Sequence, residues 1–428
     1  MLLGSLILVA ATTTLRPVAQ WDVVPYQRVA EPFKAGVVAF YDQPFKVVFS
    51  VDGKTVATVN EATLNDRTKV TEHWFTLEVA KLKDGPIALG AKVVANDGTA
   101  YELPPLPLYA NAKGALGSKQ VVWLDPKDGI DYSEGTKERP VKSLKQAIAR
   151  AGDGGTVYLM KPGVYRAERL GANRVREYWT LITPAPGLTL KDVKIRGGRT
   201  GCDKLRFKDV QIFCEVTGGQ GFLLAGADAN SLCWLDGCRM YNKSGRSAAM
   251  TLLFGNKLTG YVTGGATTEM GTGPCCKLLR NHVIKNISAD GFSMSDGLAV
   301  NCRLAGLESN GVVDEPVVFR SQPLGDEWFH DVILANVTAT GCWSNGFMGT
   351  RLKDSVFSNV SVECVGDAKR YVSRFKGEMQ NVWFDRVTVT GQTWSWFKST
   401  NRVGDFAPTD VRVTGCSFKL PTEDQWDF

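Results

Sequence analysis

From residue 20 to 112 apolar and polar positions alternate in short runs: VVPYQRV, AGVVAFY, FKVVFSVDG, KTVATVN, HWFTLEVA, PIALGAKVVAND and AYELPPLPLY. Gly, Asp, Asn and Pro separate them, and Asp52-Gly53 and Asn96-Asp97-Gly98 have the composition of hairpin turns. A period near two predicts strands, and seven or so at this spacing, with no helical pattern and no Cys, predict an antiparallel β-sandwich of immunoglobulin-like or fibronectin-like type. Trp21 and Trp74 are expected in its packing. Residues 113–119 (KGALGSK) form the expected linker.

Beyond residue 120 the pattern changes. Val121 to Leu124 predicts a strand, Asp125 to Thr136 a loop, and Pro140 opens a predicted helix with Val141, Leu144, Ala147, Ile148 and Ala151 at 3.6-residue spacing. Gly152-Asp153-Gly154-Gly155 ends it, Thr156 to Met160 is the next strand, and Pro162-Gly163 turns into Val164-Tyr165. One amphipathic helix ahead of many short β-branched strands suits a cap, because the open end of a stack of coils otherwise exposes apolar surface and unpaired backbone.

The remainder repeats loosely, as in LTLKDVKIRGG, LRFKDVQIFCEV, NHVIKNISADGF, HDVILANVTATGCW, DSVFSNVSVECVG and QNVWFDRVTVTGQTW. The later repeats recur every 24 to 29 residues or so, within the range of one solenoid coil. Asn or Asp at one place in each repeat predicts a side-chain ladder at a turn. Asn286, Asn336 and Asn359 are read that way although each begins an Asn-x-Ser/Thr sequon. Gly218 to Thr272 and Glu308 to Phe329 break the rhythm and are expected to leave the solenoid as loops.

Gly135-Thr136, Pro140, Leu144, Ala147-Ile148, Gly154, Thr156-Val157-Tyr158-Leu159, Pro162-Gly163 and Tyr165 together resemble the opening segment of right-handed parallel β-helix proteins of the pectate-lyase-like superfamily. The resemblance covers about a tenth of the chain and implies a fold rather than a reaction. The expected architecture is all-β: an N-terminal antiparallel β-sandwich (20–112), then a right-handed parallel β-helix (120–428) with a short N-terminal capping helix.

Composition narrows the function classes. A formal charge of +6 mixed along 428 residues gives a nucleic-acid partner little support and leaves affinity for acidic polymers open. No apolar run has the length of a membrane span. All 10 Cys follow residue 200 without a zinc spacing. They are read as small buried residues in a stacked core, with disulfides in an exported protein as the alternative. Three separated His (His73, His282, His330) argue against a His-rich metal site. Residues 1–19 carry the apolar core of a signal peptide, with Ala19 for cleavage but no preceding Lys or Arg, and are otherwise an anchoring segment.

β-Elimination of a uronic-acid polymer needs a group that neutralises the carboxylate and a base for the adjacent proton, and hydrolysis needs two facing carboxylates. Candidates are Arg280, His282, Lys285, Asp290 and Asp296 from one coil with Asp314, Glu315, Arg320 and His330 after it. In a lyase, Asp290, Asp314 and Glu315 would hold Ca2+, and Lys285 or Arg320 would take the proton. In a hydrolase Asp290 would pair with Asp314 or Glu315. The Asp-Asp and Gly-His-Gly pattern of β-helix polygalacturonases and the Arg-x-Pro-x-x-Arg signature of classical pectate lyases are both missing. The basic strip with Lys194, Arg196 and Arg206 suits an acidic glycan.

Two hypotheses follow. One is an extracellular or surface-displayed protein that binds a polysaccharide, with cleavage of an acidic glycan as a lyase, or secondarily as a glycoside hydrolase, left open. The other is a non-catalytic structural or adhesive protein of a cell surface or virion, self-associating through the sandwich and the aromatic C-terminus (Trp394, Trp396, Phe397, Trp426, Phe428).

Overall fold

The computed structural model describes residues 15 to 214, apart from 67, 168–169, 171–174 and 197–202; beyond 214 it describes the strands and adjoining turns named below. The protein is all-β with one α-helix among the described residues, and combines antiparallel sheets with parallel ones.

Two sheets lie at the N-terminal end, antiparallel except where Arg28–Val29 pairs parallel with Leu106–Ala110. One orders Val18–Trp21, Phe33–Phe40, Val70–Leu77 and Thr63–Asn65. The other is built on Gly85–Ala95, flanked by Phe45–Val51 and Leu106–Ala110. The predicted hairpin at Asp52-Gly53 is present, with φ of 48° and 77° where a mirror-image turn needs positive values. Alternation drives the packing: Trp21, Ala35, Val37 and Phe75 from one sheet share a core with Val47, Phe49, Leu89 and Val93 from the other.

The helix is shorter than the apolar spacing predicts. It spans Leu144–Ala151, capped by Ser143 Oγ, which accepts from Gln146 N at 3.3 Å. Val141 fits the helical period but bridges Leu124, donating to Trp123 O at 3.0 Å. Backbone pairing along the exposed edge of Val121–Leu124 outweighs one more turn of helix, because unpaired edge groups are costly.

A 20-stranded sheet occupies the rest. Its strands run parallel in two interleaved ladders, most strands pairing with the one two places on. The first ladder takes Val121–Leu124, Thr156–Leu159, Thr180–Pro184, Leu205–Lys208, Leu232–Asp236 and Thr259–Thr263. The second takes Gly163–Arg166, Val193–Arg196, Gln211–Cys214, Arg239–Asn242 and Thr267–Glu269. From His282–Ala289 to Leu352–Cys364 single long strands carry both ladders. Residues 218–272, expected as loops, therefore supply four strands to the ladders. Gly237, at φ 63°, turns between two of them, which accounts for part of the glycine there.

At the corner between the ladders a left-handed residue recurs from Asp209 onward: Asp209, Gly237, Asn301, Asn336, Asn359, Arg386 and Gly415 all have φ between 50° and 63°. Asn tolerates that conformation better than other side chains, and here the amides also stack. Asn336 Nδ2 donates to Asn301 Oδ1 at 3.0 Å, and Asn359 Nδ2 to Asn336 Oδ1 at 3.2 Å. Inside run Val157, Ile182, Phe207, Leu235, Ala299, Leu334, Phe357 and Phe384. Cys233, Cys238 and Cys302 are buried and Cys416 is half-buried, and none of the four is in a disulfide.

One outward face of the first ladder is covered. Leu298, Val300, Ile333, Ala335 and Val356 pack against Val18, Val38 and Val70 of the first antiparallel sheet, so these strands are buried on both faces. Val24 packs with Trp179, Trp234 and Tyr261 farther along. Arg28 donates to Leu116 O at 2.8 Å and to Gly154 O, tying the 113–119 segment to the turn after the helix.

Candidate functional site

With those strands covered, the second ladder and the start of the first ladder present described outward residues that a ligand can reach. Alternation in the second ladder sends Tyr165, Ile195 and Ile212 inward. It leaves two outward columns, Val164–Lys194–Gln211–Arg239 and Arg166–Arg196–Phe213–Tyr241, each in continuous register. Neighbouring strands lie roughly 4.8 Å apart, so Arg166 to Tyr241 spans about 14 Å. Phe213 and Tyr241 stack at 5.7 Å and 21°, and the Arg239 guanidinium sits 5.2 Å from the Tyr241 ring. Phe213 is buried and Tyr241 half-exposed, so Tyr241 is the ring presented and Phe213 its support. Gln211 gives its amide to Leu190 O and Lys191 O at 3.0 and 3.1 Å, which fixes the strip to the preceding turn.

Across the corner a second aromatic pair stands on the first two rungs. Trp123 and Tyr158, in register, lie 4.9 Å apart with Lys137 Nζ 5.5 Å from the Trp123 ring. Both are half-exposed, and Thr183 and Lys208 continue their column. Cations interleaved with flat rings on a rigid sheet suit a polymer offering both negative charge and apolar ring faces.

The sequence-predicted residues fall in several places. Lys194 and Arg196 lie in the strip. Arg206 is on the other ladder: its Nε donates to Asp236 at 3.2 Å, its guanidinium lies 3.8 Å from the Trp234 ring, and Trp234 Nε1 donates to Thr263 Oγ1 at 2.8 Å. That makes it part of the packing beneath the N-terminal sheets. His330 is exposed, with Nδ1 2.7 Å from Asp331 Oδ2. Burial opposes ionisation of Asp331, but the His330 hydrogen bond and the charge of Arg16 outweigh it and hold the carboxyl below its usual range. His282 and Lys285 lie in strand His282–Ala289, where Lys285 is in register with Val300. Arg320 lies in a separate four-stranded parallel sheet, in one register row with Met348, Arg374 and Lys398. Arg280, Asp290, Asp296, Asp314 and Glu315, and with them the Ca2+ triad, lie outside the described residues. Among the described residues no three His, Cys, Asp or Glu side chains are placed to hold a metal ion. The aromatic C-terminus is likewise outside them, and no described helix is long and apolar enough to cross a membrane.

Arg166, Phe213, Arg239 and Tyr241 are the strip residues that the repeat pattern passes over. The signal was there: aligning VYR, KIR, QIFC and RMYN on their inward positions stacks Arg166, Arg196, Phe213 and Tyr241.

No family model matches the sequence, and no curated protein does. A crystal structure of GH136 lacto-N-biosidase from Eubacterium ramulus, as a selenomethionine derivative, is similar over 72% of this chain and 68% of that one, at 11% identity and a TM-score of 0.31. A score that low carries no weight for fold or chemistry.

Proposed function

We propose that this chain is an extracellular or surface-displayed polysaccharide-binding protein, in which residues 120–428 wind as a right-handed parallel β-helix and a β-sandwich, 20–112, is locked along one flank. Two features support the winding: the regular pairing of strands two places apart, and the left-handed residue repeated at one corner. The ligand is an acidic glycan. The observation that carries this is the strip in which Tyr241, backed by Phe213 and with the Arg239 guanidinium beside its ring, stands two rungs from Arg196 and Lys194 and three from Arg166. Rings accept sugar faces and guanidinium groups accept carboxylate or sulfate, so together they select charged over neutral chains.

Cleavage by β-elimination belongs to the same proposal as a second step, with Lys285 or Arg320 as the base. The register row shared by Arg320, Arg374 and Lys398 supports a second basic track for the polymer. The test is incubation with a panel of acidic and neutral polysaccharides, measuring retention together with the absorbance of unsaturated product, with and without Ca2+. Retention of acidic chains at low salt is expected. Equal or no retention across the panel removes the proposal, and retention without product confines it to binding.

A further inference from the structure

An open cavity of about 340 Å³ lies where three segments meet. They are strand Arg28–Val29 of the N-terminal sheets, the linker that follows Leu106–Ala110, and the turn that joins the helix to Thr156–Leu159. That volume is at the small end of the range for ligand sites. Its walls include Arg28, Asn111, Ser118, Lys119 and Thr156, and none of its lining residues is acidic.

The backbone makes room for the Arg28 guanidinium at this wall. Gly117 and Gly154, at φ 70° and 85°, pass it so closely that a Cβ would stand 2.5 Å from Nη1 at the first and 3.0 Å from Cζ at the second. Leu116 O and Gly154 O each take one N–H from a terminal nitrogen, and the Tyr178 ring lies 5.4 Å away. The carboxylate that acts on Arg28, Asp153, accepts from the backbone N–H groups of Glu177 and Tyr178, both at 2.8 Å. Burial outweighs that carboxylate and lowers the Arg28 pKa, so the guanidinium is a half-buried cation without a full counter-charge.

Other donors in the wall are also unspent. Among the described residues Arg28 Nε, Lys119 Nζ and Thr156 Oγ1 have no hydrogen-bond partner. Asn111 Oδ1 accepts from Leu116 N at 2.9 Å, which leaves its Nδ2 to donate, and Ser118 Oγ accepts from Gln120 N at 3.1 Å, which leaves its proton. Donors without acceptors call for a ligand rich in oxygen. Two cations beside amide and hydroxyl groups suit a carboxylate carried on a polyhydroxylated ring. We propose that this cavity binds a single hexuronate, with its carboxylate on Arg28 and Lys119 and its hydroxyls on Asn111, Ser118 and Thr156. The site is distinct from the strip at Arg239 and Tyr241, which stands on the other ladder, and does not depend on polymer binding there. A bound sugar touches the N-terminal sheets, the linker and the first ladder at once, so it fastens the joint between them.

The test is saturation-transfer NMR of glucuronate with the full chain at low salt, with glucose as the neutral control and sodium sulfate as competitor. Glucuronate is expected to bind with a dissociation constant on the order of 1 mM, as about a dozen heavy atoms allow. Glucose is expected to bind about tenfold more weakly, and sulfate to displace glucuronate only at about tenfold higher concentration. Lys119 is exposed and Thr156 half-exposed, so Lys119→Ala and Thr156→Val leave the core intact. Lys119→Ala is expected to weaken glucuronate binding about tenfold and Thr156→Val severalfold, whereas Arg196→Ala/Arg239→Ala leaves it unchanged. No binding of glucuronate, equal binding of glucose, displacement by sulfate at equal concentration, or undiminished binding by both cavity variants overturns the site.

Discussion

Arg16 and Asp331, 315 residues apart in sequence, meet at 2.6 Å on the seam between the first antiparallel sheet and the first ladder. The same guanidinium reaches Asp354 Oδ2 at 2.7 Å and lies 4.0 Å from the Tyr101 ring, and its backbone carbonyl accepts from Asn381 Nδ2 at 3.2 Å. Asp331, Asp354, Asn381 and Asp410 form a second left-handed row, with φ between 47° and 58°. One fork-shaped cation thus clamps two successive rungs of a corner that repeats through the ladder. Three-quarters buried, the clamp is a pair whose loss strands charge rather than merely removing an attraction.

Replacing Arg16 by Ala is expected to cost about 3 kcal/mol, because Asp331 and Asp354 are left facing each other without their cation. Arg16→Lys recovers only part of this, since an ammonium cannot serve both rungs as a planar fork does. Denaturant midpoints at neutral pH measure both. Equal stability of all three proteins would show that the seam does not depend on the clamp.

The acidic groups at the seam respond to pH in opposite senses. Asp331 is held below its usual range, so its contribution is present above the unfolded carboxylate value of 3.8 and is lost as pH falls through the lower folded value. Glu72 is raised from 4.5 to about 7, so its contribution is fully present below 4.5 and is lost as pH rises to about 7. Thermal unfolding followed across pH is therefore expected to show a mildly acidic maximum, and Glu72→Gln is expected to flatten its alkaline side only. A variant that changes the acid limb instead would contradict the assignment.

Asn359 at φ 51° is expected to tolerate Gly better than Ala. Ala loses the amide stack and adds left-handed strain of about 1–2 kcal/mol, whereas Gly loses the stack alone. Chemical unfolding of the two variants gives the order directly, and Ala equal to Gly would mean that the corner relaxes.

Cys238 is buried, with its thiol 3.2 Å from Phe207 O, and burial pushes its pKa up to about 12. Alkylation at pH 8 is expected to leave Cys233, Cys238 and Cys302 unlabelled in the native protein and to label all three in denaturant without reductant, as peptide mass spectrometry would show. Labelling that needs reductant would restore the disulfide alternative.

Much of the architecture is written locally. Leu144, Ala147, Ile148 and Ala151 reveal the one described helix because a single face is apolar, and Asn336 and Asn359 reveal the left-handed row because one turn chemistry recurs. The helix start is hidden, since Val141 satisfies the helical period while a backbone pairing with Trp123 decides its place. Residues 218–272 look like loops because their strands are short and Gly-rich, and stacking on neighbouring rungs, which no local pattern records, makes them strands. The same limit applies to the strip. Lys194 and Arg196 stand out as charges, but Phe213 and Tyr241 become a pair only once 28 residues of chain return to the same register, Phe213 opposite Tyr241. Arg206 reads as one of that basic group, yet one strand earlier it meets Asp236 and Trp234 instead.

The most direct measurement is the salt dependence of binding to an acidic polysaccharide by the native protein and by Arg196→Ala/Arg239→Ala and Tyr241→Ala. The account predicts that affinity in the native protein falls steeply with salt, that the double variant loses both affinity and most of the salt slope, and that Tyr241→Ala weakens binding while keeping the slope. Native-like binding by the double variant at every salt concentration, with its fold intact, would contradict it.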